Sequence, residues 1–78
     1  MAIDEEEVPR HEHVQWCKDR ALKFFDRDDL GGAMSSFLSD MNKHPLAREQ
    51  LDVFLLGIGQ QYLVSNNAQS LKHWIEGF

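Results

Sequence analysis

The sequence predicts an all-α fold, a four-helix assembly of two consecutive antiparallel helical hairpins. Three observations carry this reading. Apolar residues recur at steps of three and four along most of the chain, strand-like alternation is found nowhere, and the periodic segments are separated by helix-capping or helix-ending residues. Short connections between successive helices favour antiparallel neighbours.

The opening segment, residues 1–8, holds the like-charge run Asp4-Glu5-Glu6-Glu7 and reads as a flexible acidic tail; residues 9–78 read as a single helical domain. The acids precede a helix start, where negative charge complements the helix dipole, and Pro9 suits a first turn because its missing N–H would have no partner there. The first helix is predicted over residues 9–26, with Val14, Cys17, Ala21 and Phe24 on one face and Phe25 widening it. Asp28 and Asp29 follow as capping residues. The second helix is predicted over 30–43, with Leu30, Ala33, Met34, Phe37, Leu38 and Met41 on one face, and His44-Pro45 ends it.

The third helix is predicted over 47–64 and is apolar almost all round. Leu51, Phe54, Leu55, Ile58 and Tyr62 form its core stripe, and Val53, Leu56 and Leu63 lie off it. Ser65-Asn66-Asn67 breaks the chain, with Asn67 as an N-cap, and a fourth helix is predicted over 68–76. The expected core comprises Ala21, Phe24, Ala33, Phe37, Leu55, Ile58 and Leu71.

Seventy-eight residues suffice for one core. The single cysteine, Cys17, closes no disulfide within the chain, which points to a reducing compartment or an unstapled fold. Thirteen acids against eight Lys and Arg leave a formal net charge of −5, which opposes binding to the polyanionic surfaces of nucleic acids and acidic membranes. The acidic start has no secretory-signal character and no apolar run approaches the roughly 20 residues that span a bilayer, so a soluble cytoplasmic protein is expected.

Two resemblances rest on particular residues. Ala21, Phe24, Ala33, Phe37 and Pro45 are spaced so that the first hairpin resembles one tetratricopeptide unit of about 34 residues. Cys17, Arg20 and Asp40 depart from that pattern, and residues 48–78 do not repeat it. Descent and convergent hairpin geometry both account for the likeness, and the departures favour convergence. The runs Gln15-Trp16-Cys17-Lys18, Arg20-Ala21-Leu22, Ser39-Asp40-Met41, Lys43-His44-Pro45 and Ile75-Glu76-Gly77-Phe78 resemble a family of small proteins of actinobacterial phages and prophages. That resemblance implies a mobile-element origin, hence a host cytoplasm and host proteins as potential partners. It implies no catalytic site.

Chemistry-bearing residues are few and poorly arranged. Asp26, Asp28, Asp29 and Gly31 begin like a calcium loop, but Leu30 and Phe37 fall where oxygen ligands are needed. His11, His13 and Cys17 do not complete a four-ligand metal site, because Cys17 lies on the core stripe and His44 and His73 are not spaced with them. Nothing positions a base or an oxyanion hole for Cys17, Ser35, Ser36 or Ser39. No metal, cofactor or catalytic residue is therefore expected. Lys18, Arg20, Lys23 and Arg27 cluster in the first helix, but Asp19, Asp26, Asp28 and Asp29 interleave with them. Gly57-Ile58-Gly59 sits within an apolar helix, where close helix packing is its expected role.

The surplus is apolar. Trp16, Val53, Leu56 and Leu63 do not fit the core stripes and form the candidate interaction surface, with a centrally buried third helix as the competing explanation. The expected function is protein–protein interaction without catalysis, the partner being another protein, host proteins included, or a second copy. The alternatives from other classes are a nucleic-acid-binding helix-turn-helix domain and a small enzyme.

Overall fold

A computed structural model describes residues 9–78, and the acidic segment expected as a tail lies outside them. Among the described residues the structure is helical, without strands. Helix α1 (Arg10–Leu22) starts at Pro9, whose carbonyl accepts from the N–H groups of Glu12 and His13, and it turns His13, Val14, Cys17 and Ala21 inward. The helix expected to reach residue 26 tightens instead into a 3-10 turn, Lys23–Arg27. That turn ends at Asp28, which adopts the left-handed conformation at φ 54°. The Asp29 carboxylate then caps α2 (Leu30–Met41) by accepting from the Gly32 N–H at 2.8 Å. Helix α2 buries Leu30, Ala33, Met34, Phe37, Asp40 and Met41.

The third predicted helix is two helices. Pro45 does not merely follow a helix; it occupies the first turn of α3 (Pro45–Arg48), where the His44 ring accepts from the Leu46 N–H at 3.2 Å. A non-helical link over residues 49–52 follows, and the Asp52 carboxylate caps α4 (Val53–Val64) by accepting from the Phe54 N–H at 2.7 Å. The apolar periodicity ran through this junction and concealed an N-cap within it. Helix α5 (Ala68–Glu76) starts as expected at Asn67, whose side chain accepts from the Ser70 N–H at 3.1 Å.

Phe37 is the centre of the core. It is fully buried and meets Trp74 edge-on at 5.9 Å between ring centroids and Phe78 at 4.9 Å. Burying such a side chain contributes about 1.5–3 kcal/mol. Ala21 and Ala33, both fully buried, let α1 and α2 approach closely, and these two helices share the most extensive contact in the fold. The Lys18 ammonium donates to the carbonyls of Glu76 (2.9 Å) and Phe78, tying α1 to the end of α5. Pro45 of the repeat-like spacing lies beyond the end of α2 and begins α3.

Of the expected core, Ala21, Ala33, Phe37 and Leu71 are fully buried and Phe24 is half-buried, but Leu55 and Ile58 are exposed. The inner face of α4 is rotated away from the stripe that the periodicity favoured. Its innermost residue is Gly59, where an added Cβ would stand 2.8 Å from the Met34 methyl carbon and from the Trp74 ring. Glycine carries no apolar weight in a periodicity, so the closest contact of α4 is the one that its pattern cannot show. No described helix is long and apolar enough to cross a membrane.

Candidate interaction surface

Helix α4 carries no Asp, Glu, Lys, Arg or His. It packs on α5 and α2. With Gly59 against Met34 and Trp74, the residues on the same side, Leu56, Tyr62 and Leu63, are half-buried, and Tyr62 and Leu63 pack on the core. The opposite side is left to solvent: Val53 is 81% exposed, Phe54 84% and Val64 76%, with Ile58 at 43% at its edge, whereas Leu55, one turn before Gly59, lies toward Trp74 and Phe78 and is 38% exposed. Gly57 belongs to this outer side, and a Cβ there would meet nothing within 4 Å. The helix is held at both ends. Asp52 caps its start, and Ser65 donates from its hydroxyl to the Gln61 carbonyl at 2.8 Å at its end. Asn66, at φ 56°, then turns the chain so that the Asn67 N–H reaches the Tyr62 carbonyl at 2.9 Å.

The four residues singled out from the sequence are therefore not one surface. Val53 faces outward, Leu56 and Leu63 lie toward the inner side of the same helix, and Trp16 is elsewhere on α1. Phe54, Ile58 and Val64 complete the outer face. The sequence signal that identifies them is the position of Gly59, which sets the inner side once its role as a close contact is known.

Trp16 belongs to a polar cluster between α1 and the end of α2. Its ring is covered by the Arg20 guanidinium at 4.6 Å and the Lys43 ammonium at 5.6 Å, which accounts for an apolar side chain off the core stripe. Beneath it the His13 Nε2–H donates to the Asp40 carbonyl at 2.6 Å, and the His13 ring meets that of His44 at 5.2 Å between centroids, tilted by 31°. Asp40, 2% exposed, is held by Lys43 Nζ at 3.1 Å from one oxygen. Arg20 Nε stands 3.3 Å from the other oxygen, an ionic contact outside hydrogen-bond geometry.

This cluster uses up groups that might otherwise do chemistry. Cys17 is fully buried, and burial first, the Asp40 carboxylate second, push its thiol up to about 12, so it stays protonated and unreactive at neutral pH. His11 is exposed whereas His13 and Cys17 are buried, and among the described residues no three His, Cys, Asp or Glu groups are placed to hold a metal ion. Three basic residues of α1 and its 3-10 turn are engaged as well: Lys18 on the Glu76 and Phe78 carbonyls, Arg20 on Trp16 and Asp40, Arg27 over Phe24 at 5.4 Å.

No family model, curated protein or solved structure compared with the chain matches it.

Proposed function

We propose that the protein acts by binding another polypeptide through the outer face of α4, without catalysis. The observation that carries this reading is the exposure of Val53, Phe54 and Val64 on a helix that is firmly capped, lacks ionisable acid or base side chains other than Tyr62, and buries its other side. Bare apolar surface of this extent costs solubility, and on small domains it marks an interface. The phage-type resemblance supports a bacterial host protein as one class of partner, alongside a second copy. Immobilised wild-type protein and its Phe54→Glu variant provide the test. Polypeptides retained by the first, this chain included, and released by the second support the reading. If no retained polypeptide depends on Phe54, the face is solvated surface and the reading falls.

A further inference from the structure

We infer that the occupant of the outer face of α4 is a second copy of this chain, paired antiparallel through the same face; this rests on the interaction reading above and specifies its partner. Three features of the face support it. The first is charge. The molecule carries a formal net charge of −5, yet no Asp, Glu, Lys, Arg or His lies within Val53–Val64. Two copies can therefore meet here without opposing like charges at the contact, and the face offers no ion pair by which a charged partner would be recognised.

The second is self-complementarity. Val53 and Val64 stand at opposite ends of α4 and are eleven positions apart, about three turns, so they share one side of the helix. An antiparallel two-fold pairing sets Val53 of each copy against Val64 of the other and places Phe54 beside Gln61 of the other, so that both ends are closed by one repeated contact. Gly57 lies near the midpoint of this side, and nothing occupies the space beside it. Inside the monomer that glycine packs on nothing and weakens the helix. Between two copies the missing Cβ lets the backbones approach, as Gly59 does on the inner side toward α5.

The third is area. The exposed parts of Val53, Phe54, Ile58 and Val64 offer roughly 500 Å², within the range for the largest apolar patch on a typical monomer. Two such faces, with the intervening glycine and glutamines, remove roughly 1,100–1,200 Å², which reaches the lower edge of the range of specific interfaces.

The test is sedimentation of the full chain from roughly 1 to 100 µM, with Phe54→Glu, Val64→Glu and, as a control adding the same charge on exposed α5 surface, Gln69→Glu. Phe54 occupies the first turn of a helix, where a carboxylate interacts favourably with the dipole, so that variant keeps its fold, and circular dichroism verifies it. A wild-type dimer weakened about 100-fold or more by each α4 variant and no more than about 3-fold by Gln69→Glu is the expected result. Salt should not weaken the wild-type dimer, because its contact is neutral while its monomers repel. A wild-type protein that stays monomeric throughout overturns the proposal, as does a dimer indifferent to both α4 variants. A monomer that still retains other polypeptides through Phe54 removes the second copy and leaves the interaction reading standing; retention of nothing removes both.

Discussion

At the residue scale the sharpest expectations concern two fully buried side chains. Cys17 titrates in the folded state near 12 against an ordinary value of 9.0, so the folded protein holds that proton more tightly than the unfolded chain does. The stabilisation is complete below pH 9 and is lost as pH rises toward 12. Denaturant titrations at pH 8 and pH 11 should accordingly show a smaller alkaline loss of stability for Cys17→Ala than for the wild type, and a thiol reagent at neutral pH should modify Cys17 only after unfolding. Phe37 makes the other case. Its ring has no exposed area and meets both Trp74 and Phe78, so Phe37→Ala should cost about 3–5 kcal/mol in chemical denaturation. For a domain of this size that removes much of the total stability.

At the scale of an element, α4 has two sides that respond to substitution in opposite ways. Leu56→Glu puts a carboxylate on the half-buried side and should destabilise the fold by about 2 kcal/mol or more, whereas Phe54→Glu on the outer side should leave the helical signal unchanged. The two glycines make the same distinction with a smaller perturbation. Gly57→Ala, with open space beside it, should raise the stability of the dilute monomer by about 0.5–1 kcal/mol through helix propensity. Gly59→Ala should lower it, because the new Cβ meets the rigid Trp74 ring at 2.8 Å. Thermal melts of both variants at low concentration check the pair. Melting both with Tm moving the same way would show that α4 does not sit as described.

At the scale of the whole molecule, the first and last parts of the chain are joined through α1 and the end of α5. Lys18 donates to the Glu76 and Phe78 carbonyls, and the Phe78 ring packs edge-on to Trp74 at 4.9 Å while contacting Phe37. Because Phe78 is half-buried rather than enclosed, Phe78→Ala should cost about 2 kcal/mol, less than a core truncation. If folding is cooperative across the domain, that variant, made with Trp16→Phe so that Trp74 is the sole tryptophan, should lower the midpoint seen by fluorescence and by circular dichroism equally. A drop confined to the fluorescence would mean that α5 frays by itself.

Much of this architecture was legible in the residues. The inner faces of α1 and α2 follow from apolar steps of three and four, and Asn67 announced the start of α5, because caps and periodicity act locally and are written where they act. Helix α4 was legible only as apolar. In a segment where most positions are hydrophobic, periodicity cannot choose the buried side, and the choice fell to Gly59, which closes on Met34 and Trp74 from helices distant in sequence. The break at Asp52 was hidden for a related reason, since one capping aspartate weighs little against the leucines and valines on either side. The candidate surface followed the same rule. Trp16 looked surplus until Arg20 and Lys43 were seen to cover it, and Phe54 looked like core until the packing of α4 turned it outward. The sequence by itself determined that the chain folds into helices, where α2 and α5 begin, and that the third predicted helix carries apolar residues in surplus of one core-facing stripe. Only the tertiary structure decided where that surplus lies, because which side of an all-apolar helix faces solvent depends on what the other helices present to it.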